Sequence, residues 1–316
     1  MSAAAAPSPP GTFSFKRAAG LFKETASQWS DDKAPQLGAA LAYYTVFSLA
    51  PLMLLLMSVF SLWVDKNHIQ SSIKEQVAQF AGGSSADVVG DIVESTAKRQ
   101  QSGVIATVIG VAIALFGASG VFGQLQDSLN TIWGVKAKPG LGIAGYLKAR
   151  FVSFAMVGGV CFMLLVSLTV TVLIKGLSDH LDRAMPGATV LSTILSILLN
   201  LVVITALFAM IFKFLPDARI AWSDVWIGAA LTTVFFIIGK WALGLYLGSG
   251  SAGSAYGAVG SLITTLVWVY YSAQIMLFGA EFTQVYANEF GSHIEPEPHA
   301  VRVEKKEIEI PRTAAG

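Results

Sequence analysis

The sequence predicts an all-α polytopic membrane protein with six transmembrane helices and additional amphipathic helices at the interfaces. Three observations carry that prediction. Hydrophobic residues fill 54% of the 316 positions and charged residues only 13%, against the ~25% charged fraction usual in soluble proteins. Six apolar runs occur, at 37–64, 102–121, 151–174, 188–212, 225–247 and 257–280. About 20 helical residues at ~1.5 Å rise cross a ~30 Å hydrocarbon core, so each run is long enough. Within all six, the one formal charge is Lys240.

The N-terminal tail, 1–36, opens as an Ala/Pro/Ser stretch expected to be disordered. Phe13–Trp29, with Lys16, Arg17 and Lys23, is expected to form a short amphipathic helix at the membrane surface. No cleavable signal is evident, because the first apolar run is far longer than a signal core. That run is uncharged and exceeds a vertical crossing, so tilt or a bend is expected. Pro51 supplies the bend, since its missing N–H frees the carbonyl of Phe47.

Segment 65–101 is hydrophilic but patterned. Ile69, Ile73, Val77 and Phe80 share one helical face, and Val88, Ile92 and Val93 another, which predicts two short outer helices. In the second run Ala106, Gly110, Ala114 and Ala118 recur every four residues, a ladder that admits a close helix neighbour. An elbow helix follows in the inner interface. Its apolar face includes Leu125, Leu129 and Trp133, and its opposite, polar side carries Gln124, Asp127 and Asn130. That polar side either caps backbone groups freed by nearby glycines, meets a lipid head group, or is simply solvated. Asn200 sits mid-span in the fourth run, where an amide seeks an interhelical partner.

The fifth and sixth runs form a hairpin around Gly248–Tyr256. On a helix Ala229, Thr233, Lys240 and Gly244 share a face, and Ser261, Thr265, Trp268 and Ser272 do the same in the return segment. Two such stripes on adjacent antiparallel helices predict the lining of a cavity or a tight seam. A lysine within a span costs ~2.5–3.5 kcal/mol on insertion scales. Lys240 therefore either faces a cavity or snorkels toward the outer end of its helix, about ten ångströms away at ~1.5 Å per residue. The membrane domain ends near residue 285, and 286–316, rich in proline and charge, is expected to be a disordered tail.

With the N-terminus inside, fourteen of the 21 lysines and arginines fall in inner segments and six in outer ones, the remaining one being Lys240. Both termini are therefore expected in the cytoplasm. Net charge is +1, so no global basic field exists to hold nucleic acid. The single cysteine, Cys161, rules out an internal disulfide and any multi-cysteine metal site. His68, His180, His293 and His299 are scattered, and none stands in a metal-binding spacing. No phosphate loop occurs, and no serine nucleophile has a motif with a base beside it. No cofactor, no metal and no enzyme activity are expected on this reading.

Three blocks of the sequence are similar to the YihY/BrkB family of membrane proteins. They are Leu41–Pro51 (LAYYTVFSLAP), Phe122–Trp133 (FGQLQDSLNTIW) and Ser254–Leu262 (SAYGAVGSL) with Tyr270–Ile275 and Phe278–Thr283. The resemblance spans roughly Trp29 to Asn288. It implies a six-span, multi-pass protein of the bacterial inner (plasma) membrane. Family names refer to a virulence factor, and older naming calls members ribonuclease BN. Hydrolysing RNA would need a metal cluster or an acid–base pair beside a basic groove. These residues supply neither, so the ribonuclease name is expected to be a misassignment. The expected role is a transporter or lipid-handling, flippase-like factor for an anionic lipid or amphiphile, with the bilayer as partner. A non-catalytic scaffold for envelope assembly is the alternative, and oligomeric state is left open.

Overall fold

A computed structural model of the chain describes residues 15–60, 83–99, 120–138, 188–248 and 260–303, with five helical positions between 71 and 78. Seven helices run through these residues. They are α1 (Phe15–Asp31), α2 (Ala34–Phe60), α3 (Gly83–Arg99), α4 (120–132), α5 (Ala188–Phe214), α6 (Trp222–Gly248) and α7 (Gly260–Glu289). Among the described residues, three stretches are long and apolar enough to cross a membrane: Thr193–Phe214, Trp222–Tyr246 and Leu262–Glu289. The runs at 102–121 and 151–174 fall outside the described residues, apart from 120–121, which open α4. Pro51 lies within α2, with its side chain outside the described residues.

Packing follows composition. Valine and isoleucine crowd α5, yet the segment is helical, because in hydrocarbon every backbone N–H and C=O must be satisfied internally. Ile194, Leu195, Ile197 and Leu198 are exposed on it, as suits a lipid-facing surface. The helix stops at Phe214, two residues before Pro216, whose ring disfavours the α conformation in the residue ahead of it.

The α6–α7 contact is reciprocal. A side-chain carbon at Gly228 would collide with Thr283, and one at Gly279 with Thr232. Each threonine also returns its hydroxyl to the glycine of its own helix, Thr232 Oγ1 to Gly228 O at 2.7 Å and Thr283 Oγ1 to Gly279 O at 2.6 Å. The hydroxyls are thus satisfied locally, and the two backbones approach closely at the matched Gly-x-x-x-Thr pairs. Gly38 of α2 makes a similar approach to Gln274 of α7.

Helix α1 forms where its amphipathic pattern predicts, and packs along α7 through Leu21 with Phe282 and Val285. Phe22 sits between Phe282 and Phe235, with centroids at 5.4 and 6.3 Å. Lys33 joins α1 to α2 at φ 55°. Its carbonyl accepts the N–H groups of Gln36 and Leu37, while Pro35 occupies the first turn of α2, where no donor is needed. Outside the long helices, Lys74 reaches across to Asp87 of α3 at 2.9 Å. That hydrogen bond and the carboxylate charge push the lysine up from its ordinary value.

The principal core is concentrated toward one end of the long helices, where Leu129, Ile132 and Trp133 meet Phe212, Leu215, Ile220, Val225 and Leu277. Four short strands close this end: β1 (Val135–Ala137), β2 (Ala218–Arg219), β3 (Glu295–Pro296) and β4 (Ala300–Arg302). β1 pairs antiparallel with β4 and β2 with β3.

This corrects the expectation of a disordered tail from residue 286. Helix α7 continues to Glu289, and residues up to 303 fold back onto the molecule, with Ile294 and Ala300 buried. Pro296 and the surrounding charges suggested disorder by composition. Two-residue and three-residue strands, paired to segments remote in sequence, leave no periodic signal.

Candidate functional site

The strand-bearing end is organised by Asp217, in the loop between α5 and α6. Its Oδ2 accepts from Asn130 Nδ2 at 2.9 Å, and its backbone N–H donates to Asn130 Oδ1 at 2.8 Å. Its Oδ1 faces Gln126 Nε2 at 3.1 Å and His299 Nε2 at 3.0 Å. The Asp217 carbonyl accepts the N–H of Glu297 at 2.9 Å. One aspartate thus clasps the elbow helix, the α5–α6 loop and the C-terminal segment. Beside it, Asp224 Oδ2 accepts from the N–H and the hydroxyl of Ser292, at 3.1 and 3.0 Å. A carboxylate there also suits the positive N-terminal end of α6.

The clasp revises the elbow. Of the roles expected for the elbow's polar side (capping backbone groups near the glycines, meeting a head group, or simple solvation), Asn130 fills none as stated: it is buried and bonded to the side chain and backbone N–H of Asp217. Gln124 bonds within its own helix, to Ser128 at 3.3 Å, and only Asp127 of the three is exposed. The residues that share a target are Gln126 and Asn130, one turn apart. Their i, i+4 spacing was visible in the sequence, whereas their common partner, 87 residues downstream of Asn130, was not.

In α5, α6 and α7, residues of the predicted stripes are partly brought together. Thr233 is buried and accepts from Thr205 of α5 at 3.1 Å. Trp268 is buried against Phe236, which in turn meets Phe208, with centroids at 6.0 and 5.8 Å. Thr265 is buried and Ser272 half-buried. At this level the expected cavity is filled by aromatic rings, a packed seam among α5, α6 and α7. Lys240 and Asn200 are exposed rather than enclosed. The side chain of Ser261 lies outside the described residues.

A different side of α6 holds a groove of about 270 Å³ against α1 and α7. Phe235, Ile238, Tyr271, Gln274 and Phe278 line it, with Trp29 of α1. Nothing in the sequence tied Trp29 to these helices. Glu281, the residue after the predicted apolar run 257–280, is fully buried in α7. Among the described residues, no three His, Cys, Asp or Glu side chains come together as a set able to hold a metal ion.

Residues 25–304 match the family model described as virulence factor BrkB. A UPF0761 membrane protein of Haemophilus influenzae is 25% identical over 274 residues, 85% of this chain and 95% of that one. One from Pseudomonas aeruginosa is 27% identical over 257 residues, 81% of this chain and 60% of the relative. One from Mannheimia succiniciproducens is 23% identical over 268 residues, 84% and 88% of the two chains. The aligned region therefore spans 60% of the Pseudomonas relative, less than two thirds of its length. No solved structure matches the chain.

Proposed function

We propose that this chain, which belongs to the virulence factor BrkB family of membrane proteins, is a lipid-handling or transport factor for an anionic lipid or amphiphile. One observation carries the reading. Lys240 is an exposed cation on a helix apolar and long enough to cross a membrane, at the end of the helix away from the strands. A charge at such a place is costly in hydrocarbon and marks a pathway or a head-group contact more often than a structural site. A phosphate or carboxylate head group meets that demand while its tail stays in lipid. On this reading the protein spans the bacterial inner membrane six times, the strand-bearing face is cytoplasmic, both termini lie on that side, and no nuclease or other enzymatic step is involved.

The test is head-group exchange between leaflets in proteoliposomes, with fluorescent phosphatidylglycerol compared with phosphatidylcholine. Lys240→Met keeps the stem and removes the charge, so it should abolish the protein-dependent movement of phosphatidylglycerol. Lys240→Arg should retain part, because a cation remains with different geometry. Full movement in the methionine variant at matched reconstitution would refute the anion contact and leave Lys240 a snorkelling residue.

The Asp217 clasp favours a second reading, an assembly scaffold. It joins three remote segments into a fixed surface at one face. Under that reading Lys240→Met is silent, while variants of the clasp lose function.

A further inference from the structure

We propose that the groove between α1, α6 and α7 binds a glycerophospholipid, holding one acyl chain with its ester end at Trp29 and Gln274. The site is distinct from Lys240, which points from another side of α6, so it stands or falls independently of the reading above.

The occupant follows from what surrounds the groove. Its rim includes Ile238, 57% exposed, and Tyr271, 36% exposed. Ile238 continues the exposed apolar face of α6 that Val234, Ile237 and Trp241 form. On a membrane-crossing helix that face is the protein–lipid interface, so the groove is an inward extension of a surface already in contact with hydrocarbon. The rings of Phe235 and Phe278, 5.9 Å apart, form an apolar wall. At roughly 30 Å³ for a water- or methylene-sized unit, the space takes about nine such units. That is a length of chain, below the size of sites for drug-sized ligands.

Polar chemistry sits among the same side chains. The indole Nε1 of Trp29 and the Oε1 of Gln274 are buried and have no hydrogen-bond partner. Buried polar atoms nearly always have one, so two orphans beside one groove need an explanation. The amide nitrogen of Gln274 is directed to the carbonyl of Ala34, at 3.4 Å. A donor and an acceptor are therefore left over. An ester carbonyl accepts from the indole N–H, and a head-group ammonium or hydroxyl donates to the amide oxygen, once a small side-chain rotation opens them to the groove. A phosphatidylethanolamine or phosphatidylglycerol supplies both partners, whereas a choline head group has no donor.

The full chain is reconstituted into phosphatidylethanolamine–phosphatidylcholine nanodiscs carrying a trace of lipid with a mid-chain diazirine, then irradiated and mapped by peptide mass spectrometry. Separate arms carry the probe on phosphatidylethanolamine, on phosphatidylcholine and on a free fatty acid. The ethanolamine probe should label the Trp29 and Tyr271–Phe278 peptides about fivefold above the lipid-facing Ile194–Leu198 surface, and the choline probe less. Ile275→Trp fills the groove and should remove that excess while labelling of α5 is unchanged. Gly239→Ala is a milder second variant. Its added carbon meets Ile275 Cδ1 at 2.6 Å and Tyr271 Cε1 at 2.7 Å, which drives those side chains into the space. Trp29→Phe should lower the excess about threefold by removing the donor alone, and Lys240→Met should leave it intact. Labelling of the groove at the level of α5, or an excess that survives both filling variants, overturns the site. Labelling by the free fatty acid alone, or equal labelling in Trp29→Phe, overturns the ester-end assignment.

Discussion

Replacing Asn130 with alanine should be among the most destabilising polar changes at the strand-bearing end. The side chain makes two hydrogen bonds to Asp217, one to a carboxylate oxygen and one from the backbone N–H. A hydrogen bond to a charged group is worth ~1.5–3 kcal/mol and a neutral one ~0.5–1.5 kcal/mol, with a further penalty when the surviving partner stays buried. Asn130 and Asp217 are 8% and 9% exposed, so water does not readily replace what is lost. The expected cost is about 3 kcal/mol. Gln126→Ala removes one half-buried contact to the same carboxylate and should cost about 1 kcal/mol. Asp127→Ala, on the exposed side of the same helix, should stay within ~0.5 kcal/mol of the parent. The assay is reversible denaturant unfolding of the three variants in one detergent, followed by intrinsic fluorescence. If Asn130→Ala and Asp127→Ala unfold together, the clasp does not hold this face closed.

Gly279→Ala should destabilise by ~1–3 kcal/mol through overpacking against Thr232. Thr232→Ala should recover part of that loss, read as a non-additive double-mutant cycle. A chain ending at Glu289 loses β3, β4, His299 and Ser292 and should melt earlier than one ending at residue 303, which keeps every described contact; equal melting curves would refute the role of the strands. Asp224→Ala strips Ser292 of two bonds and should cost ~1–3 kcal/mol, measured by the same unfolding titration. Raising pH through the elevated range of Lys74 should weaken its link to Asp87, because the lysine's ammonium form is the one favoured in the folded state. Selective proteolysis of the segment that carries Lys74 and Asp87, across that range, would show it, and an unchanged cleavage rate would count against it.

Long apolar runs were legible because hydrocarbon leaves the backbone few choices. The runs at 188–212, 225–247 and 257–280 correspond to α5, α6 and α7, with α7 longer by nine residues at its strand-bearing end. The apolar run ends at residue 280 because Glu281 follows it, and a lone carboxylate favours water, yet in the folded chain Glu281 is buried within the helix. Periodicity also found α1 but could not show that its apolar face lies on α7 rather than on lipid. The site was less legible still. Thr233 and Trp268, from the two predicted stripes, are both buried, but Phe236, which has no polar atom to attract notice, packs against Trp268 between their helices. Asp217 and His299 looked like ordinary loop residues, because their meaning lies in a contact across 82 positions. Spacing along one helix reports which residues can act together, and it carries no information on what distant segment they meet.

The pairing of β1 with β4 sets an order on biosynthesis. Val135 lies opposite Arg302, 167 residues later in the chain. At about 5–20 residues per second, the ribosome needs roughly ten to thirty seconds to supply the missing strand. Throughout that interval α4 is already made and the α5–α6 loop joins it about midway, while the N–H of Glu297 and the ring of His299 do not yet exist. The face on which the strands lie is therefore completed only after α5, α6 and α7 have been made. A nascent chain waits with an open seam, and a stop between Glu289 and residue 295 releases a protein whose long helices are present but whose closing stitch is absent.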